Sequence, residues 1–153
     1  KYNIITNQWT WMNGSNGLEQ YGSYGTKGVG NATNTPGGRS ASGYFISPTG
    51  DFYLVGGSGS NSTKQYASLS DVWKYNPVTN QWTWVAGADS TISQVGVYGT
   101  LGVYSASNIV PDKYAPIAWG DSSGKMWLFG GSGSSSTSTS GLINDLWYLG
   151  IAD

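Results

Sequence analysis

The chain has 153 residues, of which 14% are aromatic and only 10% are charged, and its formal net charge is −1. The seven Lys and Arg residues are scattered singly, and because phosphate binding needs clustered positive charge we expect no nucleic-acid partner. Cys and His are absent, which excludes disulfides, thiolate or imidazole metal sites and Ser-His-Asp catalysis from this sequence, so we expect no metal and no cofactor.

The composition favours β-structure over helix. The chain holds 24 Gly, eight Trp and eleven Tyr residues, and nothing apolar recurs convincingly at helical spacing. Gly supplies turns with positive φ, whereas Thr, Tyr and Trp favour pleated, half-buried surfaces. No apolar run approaches the roughly 20 residues that a membrane-spanning helix requires. We therefore predict an all-β chain with long polar loops.

The predicted strands of the first complete unit are, in chain order, Ser40–Ile46, Asp51–Val55, Asp71–Tyr75 and Gln81–Val85. A turn at Ser47–Gly50 joins the first two, since Pro presets φ and Gly accepts the left-handed conformation. Between the second and third strands lies Ser58–Leu69, and its counterpart further along is Ser132–Ile143. Both segments are rich in Ser, Gly and Thr, so we expect solvated, mobile loops.

A stretch of about 74 residues is written twice along the chain. Matching segments keep their order, and their offset drifts only between 73 and 75 residues, which places small insertions in loops. The matches include Lys1–Asn3 with Lys74–Asn76, Asn7–Trp11 with Asn80–Trp84, Tyr24–Thr26 with Tyr98–Thr100, Gly56–Gly59 with Gly130–Gly133, and Asp71–Trp73 with Asp145–Trp147. The sequence therefore predicts two copies of one structural unit.

Within each unit, a Gly doublet closes the second strand and Trp residues lie on the third and fourth strands. The residues that carry this pattern are Tyr53–Gly57, Asp71–Asn76 and Trp82 in the first copy, and Met126–Gly131 and Asn144–Trp147 in the second. The pattern resembles the kelch repeat, although these units are longer than the usual kelch unit of about 50 residues. The resemblance implies a segment of a kelch-type β-propeller, about two four-stranded antiparallel blades, distantly similar to the propeller domain of galactose-oxidase-like proteins.

The resemblance also implies structural roles for the repeated Gly and Trp residues. The Gly doublets permit a backbone turn or close approach that a Cβ would block, and the flat Trp rings suit contacts between neighbouring sheets. The repeated structural residues are Gly56, Gly57, Trp73, Trp82, Gly130, Gly131 and Trp147, and we expect sheet contacts also from Trp9, Trp11, Trp84 and Trp127.

Counting strands divides the chain into five parts. These are the last strand of a preceding or partner blade (1–12), a Tyr/Gly-rich link (13–38), a complete blade (39–86), a second link (87–113) and strands one to three of the next blade (114–153). Propellers typically have four to eight blades, so two blades cannot close a ring. We expect further blades from the same longer chain or from other copies, with three copies giving six blades.

The Tyr/Gly-rich links are the candidate binding surface. Exposed Tyr among Gly, Ser and Asn offers flat, amphipathic rings at low entropic cost, suited to a protein or glycan ligand. The competing interpretation is that these motifs recur because they pack in the same way in each blade. The candidate binding residues are Tyr21, Tyr24, Lys27, Tyr98 and Tyr104.

The acidic residues do not form a predicted catalytic pair. Asp71 and Asp145 are repeat-equivalent and are expected to hold a turn at the start of the third strand, while Asp51 and Asp121 belong to hairpin turns. A glycosidase needs two carboxyl groups facing each other across a cleft. The remaining acids, Glu19, Asp89, Asp112 and Asp153, show no repeated pairing. We therefore predict no catalytic residue.

Three segments fit the acceptor pattern for N-glycosylation, at Asn13, Asn31 and Asn61, and all three fall in predicted loops. Together with a surface rich in Ser, Thr, Asn and Gly, they favour an extracellular or cell-surface location. The expected function is a non-catalytic binding or scaffold module. One alternative is the propeller part of a carbohydrate-active enzyme or oxidase whose catalytic groups lie outside these residues. Another is an intracellular adaptor, similar to the kelch domains that recruit substrates to ubiquitin ligases.

Overall fold

A computed structural model describes residues 1–150, and all regular structure in that range is β-strand, which confirms the predicted all-β fold. Residues 151–153, the end of the predicted last unit, lie outside the described residues. No helix in 1–150 is long and apolar enough to cross a membrane. The strands are β1 (Tyr2–Asn3), β2 (Gln8–Trp9), β3 (Arg39–Ser40), β4 (Gly43–Ile46), β5 (Phe52–Val55), β6 (Ser58–Ser60), β7 (Tyr66–Ser68), β8 (Val72–Asn76), β9 (Gln81–Ala86), β10 (Ile117–Gly120), β11 (Met126–Phe129), β12 (Ser132–Ser134), β13 (Ser140–Leu142) and β14 (Leu146–Leu149).

The first blade is the four-stranded antiparallel sheet β4-β5-β8-β9. Side chains alternate between buried and more exposed along β4 and β5, as a pleated strand requires when one face is covered. Aromatic residues face each other across the last two strands, where Trp73 pairs with Trp84 and Tyr75 with Trp82. The turn between these strands has Asn80 at φ 56°, a left-handed conformation that Asn tolerates.

The second blade is the three-stranded sheet β10-β11-β14, also antiparallel. Its register repeats that of the first blade, since Leu128 pairs with Trp147 as Leu54 pairs with Trp73. Within residues 1–150, β14 is hydrogen-bonded to β11 on one side and has no strand on the other.

The core lies between the two blades. It is a cluster of buried apolar side chains from four strands: Phe45, Tyr53, Val55, Val72, Met126 and Leu128. The innermost strands β4 and β10 lie beside each other, and Gly120 of β10 leaves room for the ring of Phe45, because a Cβ there would come within 2.5 Å of it. Burial of each large side chain contributes about 1.5–3 kcal/mol, so the blades are stabilised mainly by covering each other.

The predicted loops 58–69 and 132–143 are hairpins instead, which corrects the expectation of mobile segments. β6 pairs with β7, and β12 pairs with β13 in the same register. In the first hairpin Ser60 and Asn61 are buried, and Asn61 Oδ1 accepts hydrogen bonds from the backbone N–H groups of Thr63 and Gln65. Main-chain hydrogen bonds stabilise both hairpins, and the buried Asn61 stabilises the first one further. Neither kind of contact produces a hydrophobic pattern in the sequence.

The chain starts with a small hairpin, β1-β2, that repeats the turn of β8-β9. Tyr2 pairs with Trp9 as Tyr75 pairs with Trp82. Trp9 is 80% exposed and Trp11 is 64% exposed, so neither ring is buried between sheets within residues 1–150. The physical reason is that β1-β2 forms a separate two-stranded sheet, with no further strand beside it in the described residues.

Candidate functional site

The first link runs against the blade and places Tyr24 inside it. The bridge between Ser23 and Thr35 closes a loop around Tyr24, which is only 5% exposed. Its ring lies 4.8 Å from that of Trp73 and 5.3 Å, edge on, from that of Trp84. A recognition role is therefore wrong for Tyr24, because its ring is already covered by the blade.

Beneath this ring, one buried carboxylate gathers three partners. The side chain of Asp71 is fully buried and accepts two hydrogen bonds from Arg39, at 2.6 and 2.8 Å. Tyr24 donates its hydroxyl to the same carboxylate at 2.6 Å, and Trp73 Nε1 donates at 2.8 Å. These four side chains, which we call the first anchor cluster, join the link, β3 and β8. Asp71 thus does more than hold the turn that the sequence predicted.

The electrostatics of the first anchor cluster follow from burial around one ion pair. Burial, and then the neighbouring Asp71 carboxylate, raise the pKa of Tyr24 far above its ordinary value. Burial opposes the charge of Arg39, but hydrogen bonding to Asp71 and its negative charge outweigh this and raise the pKa of Arg39. The cluster therefore holds a neutral phenol, a guanidinium cation and its carboxylate partner in fixed positions.

The second unit repeats the arrangement with one substitution. Lys113 replaces Arg39 in the ion pair with Asp145, Tyr98 donates its hydroxyl to Asp145 at 2.9 Å, and Trp147 Nε1 donates at 2.7 Å. Burial, and then the hydrogen bond to Asp145, raise the pKa of Tyr98 to about 12. We call these four side chains the second anchor cluster. Tyr98 is more exposed than Tyr24, at 36% against 5%, since no strand follows β14 in the described residues.

Two further acidic side chains also have structural partners. Asp121 closes the β10-β11 turn by accepting bonds from Ser123 and Trp127, which lower its pKa. Buried Asp112 accepts from the backbone N–H of Ser134. In residues 1–150, no group of three or more acidic, His or Cys side chains could hold a metal ion.

The remaining predicted binding residues lie in different surroundings. Lys27 places its Nζ 4.2 Å from the ring of Trp84 and donates to the carbonyl of Gly87, so it packs on the blade. Tyr104 is 80% exposed on the second link. Tyr21 is 45% exposed and lines a groove on the first link, well apart in sequence from the other exposed ring.

That groove has a volume of about 550 Å³ and lies between the first link and the β6-β7 hairpin. Its wall includes the exposed side chains of Leu18, Glu19, Gln20, Tyr21 and Tyr66, with Ser58 below them. Among these residues, only Tyr21 was predicted from the sequence as a binding residue. A difference between the two repeats could have identified Glu19 and Tyr66, since their equivalents are Ser93 and Ser140.

The three glycosylation sequons differ in access. Asn31 is exposed, and Asn13 is half-buried with its amide donating to the carbonyl of Asn80. Asn61 is 1% exposed, and its amide nitrogen donates to the carbonyl of Ser90. A glycan on Asn61 is therefore incompatible with this fold, because it would displace that hydrogen bond and require the hairpin to open.

Comparison with known proteins gives a family for the blade. Residues 47–86 match the family model of the Kelch motif. One solved structure that is similar, titled "Structure of YjhT", has 23% sequence identity and a TM-score of 0.41, and the alignment covers 63% of this chain. The chain spans only 22% of the length of that structure. No curated protein matches the sequence.

The matched residues include the features that recur between the two units. They run from the turn before β5 to the end of β9, and so include the Gly doublet, the anchoring Asp71 and the paired Trp rings of β8 and β9. The predicted resemblance is confirmed over residues 47–86, which match the Kelch motif, and the all-β fold with its antiparallel sheets is consistent with part of a kelch-type propeller.

Proposed function

We propose that this chain is a non-catalytic binding or scaffold module that acts outside cells or at the cell surface, as part of a larger propeller. The observation that carries the proposal is the repeated anchor cluster. In both units the carboxylate that could have served catalysis, Asp71 or Asp145, is surrounded by a cation, a phenol and an indole from its own unit. A group held in this way stabilises a blade and is poorly placed to exchange protons with a substrate.

The unpaired edge of the second blade supports the proposal that a partner supplies further strands. In the first unit, β9 covers β8, and the first link leans on β9 through the hydrogen bonds from Gly28 N–H to Trp84 O and from Asn34 Nδ2 to Trp82 O. The second link has the same internal turns, but β14 has no such neighbour within residues 1–150. A strand of the β9 type fits this position.

Two sources could supply that strand, and both remain part of the proposal. A longer chain would continue into further blades, whereas separate copies would use β2, whose Trp9 and Trp11 are equivalent to Trp82 and Trp84 of β9. Three copies would then form six blades, within the usual range for propellers. Strand addition at a sheet edge is a common way to join protein chains.

An extracellular location is supported by the surface. The exposed loops carry Ser, Thr, Asn and Gly rather than charge, and the sequons at Asn31 and Asn13 have exposed or half-exposed side chains. Glycan mass on material from its native source would test this location, and unmodified Asn13 and Asn31 in a eukaryotic source would count against it.

The scaffold proposal is tested by the mass of the whole protein in native solution. We expect either an assembly of three chains or a longer single chain whose further repeats complete the ring. A stable, isolated monomer of 16.2 kDa would contradict both.

A pair of variants separates the two sources of the strand. If copies assemble through β2, the double variant Trp9→Ala/Trp11→Ala should dissociate the assembly, because both rings are exposed in the single chain and buried only on pairing. The matched control is Ile4→Ala/Ile5→Ala in the same hairpin, whose side chains are 83% and 91% exposed and correspond to the turn of β8-β9. Assembly that survives the Trp variant would exclude β2 as the added strand.

A further inference from the structure

The two units have the same backbone around the groove but different side chains. Glu19 has φ 51° and its counterpart Ser93 has φ 53°, and Lys64 and its counterpart Ser138 have φ 69° and 63°. The anchor clusters beneath are also equivalent. The same backbone conformation therefore forms with either set of side chains. The four differing pairs are Glu19 and Ser93, Tyr21 and Val95, Lys64 and Ser138, and Tyr66 and Ser140.

This difference separates structural residues from residues with another use. Repetition along the chain marks what a blade needs in order to pack, as in the anchor clusters. Two exposed aromatic rings and two charged side chains that occur in one unit alone, around one groove, are not needed for packing. Their side chains cost free energy to expose or order, and the second unit shows that Val and Ser suffice for the fold.

The groove is held open by a rigid backbone. Gly38 N–H donates to Gln20 O at 2.8 Å, and Ser60 N–H donates to Gly38 O at 3.1 Å, so the link and the β6-β7 hairpin are fixed on both sides. Arg39, at the base, is fixed by its bonds to Asp71. A pre-formed site loses little conformational entropy when a ligand binds.

The lining of the groove combines two aromatic rings with several polar side chains. Tyr21 and Tyr66 expose 45% and 73% of their surface, and Lys64 Nζ lies 5.3 Å from the centre of the Tyr21 ring. Glu19 and Gln20 on the link offer a carboxylate and an amide, and Ser58 offers a hydroxyl. The opposite charges of Glu19 and Lys64 balance, so the groove has no preference for a strongly charged ligand.

We propose that this groove binds a neutral oligosaccharide, an inference that rests on the proposed binding function and names its ligand class. A pyranose ring has an apolar face of C–H bonds, which packs on a Tyr ring, and an edge of hydroxyls, which bonds to carboxylate, amide and serine groups. Tyr rings provide such contact area at low entropic cost. The volume of about 550 Å³ lies within the usual range for small-ligand sites of about 300–1,000 Å³.

A sugar fits these observations better than a peptide. The strand residues that line the groove include Ser40, Ser58 and Ser60, which do not form apolar side-chain pockets, and the two Tyr rings lie among carboxylate, amide and hydroxyl groups. Peptide recognition by strand addition would use main-chain edges and alternating side-chain pockets. Sugar recognition uses aromatic faces with polar groups beside them, which is the arrangement at Tyr21, Tyr66, Glu19 and Ser58.

The test is calorimetric titration of the whole protein with three neutral hexasaccharides that differ in linkage and sugar: cellohexaose, mannohexaose and maltohexaose. The variant is Tyr21→Val/Tyr66→Ser, which installs the side chains of the second unit on the same backbone and so preserves the fold. We expect saturable binding of at least one sugar, weakened at least tenfold in this variant. Tyr21→Phe/Tyr66→Phe should retain most of the binding, since the rings remain.

The matched control is Tyr114→Ser, an exposed Tyr of the second unit that is changed to its own repeat equivalent, Ser40. Binding should be unchanged in this control. No binding of any of the three sugars, equal binding by the Tyr21→Val/Tyr66→Ser variant, or equal loss in the control would overturn the proposal.

The result of the sugar-binding test can be distinguished from the result of the native-mass test of the scaffold proposal. Native mass should be the same for the groove variant and the unchanged protein, because neither Tyr21 nor Tyr66 belongs to β2 or β14. A protein or peptide ligand that is lost in the groove variant while no sugar binds would overturn the sugar and leave the binding function intact. An isolated, inert monomer would overturn both.

Discussion

At the scale of single residues, each unit depends on one acidic residue at the start of its third strand. Asp71 and Asp145 gather a cation and a Tyr from segments before the blade, and a Trp two residues further on. A buried ion pair is stable only when its remaining hydrogen-bonding positions are filled, and the phenol and the indole fill them here. The anchor cluster therefore stabilises the contact between link and blade, and its residues recur for that reason.

Replacing Asp71 by Asn should destabilise the protein strongly. The change leaves the buried Arg39 cation without a counter-ion, which costs about 3–5 kcal/mol. Arg39→Lys is the matched comparison, because the second unit has Lys113 at this position. It keeps the charge, but a single ammonium cannot replace all four hydrogen bonds that the guanidinium donates to Gly37 O, Gly56 O and the two Asp71 oxygens, so we expect a cost of about 1–2 kcal/mol. Urea unfolding measures both, and equal costs would contradict the role of the ion pair.

The unfolding free energy should fall in alkaline solution because of Tyr24. Its pKa is raised in the folded protein above the ordinary value near 10, so the folded state keeps a proton that the unfolded chain releases as the pH rises past about 10. Stability from this group is complete below about pH 10 and is lost above it. Tyr98, with a pKa of about 12, acts in the same direction.

The Tyr24→Phe variant isolates this effect, since the other Tyr residues are unchanged. We expect it to be less stable than the unchanged protein near neutral pH by about 1–3 kcal/mol, because Asp71 loses a hydrogen bond. The difference should narrow as the pH rises from about 9 to about 11. The measurement is denaturant unfolding of both proteins across that pH range. A constant difference in unfolding free energy would show that Tyr24 does not titrate as inferred.

At the scale of elements, strands were predictable where side chains carry the pattern. The segments Asp51–Val55, Asp71–Tyr75 and Gln81–Val85 overlap β5, β8 and β9 closely, because alternating aromatic and aliphatic residues there meet turn signals at Pro48 and Pro77. The hairpins β6-β7 and β12-β13 were missed. Their strands consist mostly of Ser and Gly, and their pairing depends on main-chain hydrogen bonds that side-chain composition does not report.

The Gly doublet after β5 offers an element-scale prediction. Gly56 has φ +57°, and a Cβ there would lie 2.6 Å from the carbonyl oxygen of Lys113 and 2.9 Å from that of Leu69. Gly50 has φ +87° with no atom within 4 Å of its Cβ position. Gly50→Ala should cost about 1–3 kcal/mol from backbone strain alone. Gly56→Ala should cost more, because two backbone segments must also move apart; equal losses in thermal unfolding would contradict this close approach.

At the scale of the whole molecule, two blades cover one face of each other and leave the outer parts open. The core between β4, β5, β8 and β11 is buried, while Leu146 and Tyr148 of β14 are 55% and 45% exposed. In the first unit the equivalent strand is covered by β9 on its open side. Because each blade is stabilised by its neighbours, the end blades are where further strands add stability.

The candidate site was only partly predictable from the sequence. Repetition predicted a structural position for Asp71 and Asp145, and both carboxylates lie in the anchor clusters. It also distinguishes Tyr24, which recurs as Tyr98, from Tyr21, which has Val95 at the equivalent position. Tyr24 and Tyr21 are three residues apart in one Tyr/Gly-rich stretch, yet one is enclosed by Trp73 and Trp84 and the other lines a groove. The path of the backbone decides this, because Trp73, Trp84 and Tyr66 are far from the first link in the sequence.

The sequence alone determined the duplicated unit, the kelch resemblance and the all-β class, because repeated Gly, Trp and Asp positions and turn residues are local signals that survive without coordinates. The tertiary structure decided which residues meet. Arg39 and Asp71 are 32 residues apart in the chain, and Glu19 and Tyr66 reach one groove from different segments. Such contacts arise from long-range folding of links over blades, and no local pattern of residue types records them.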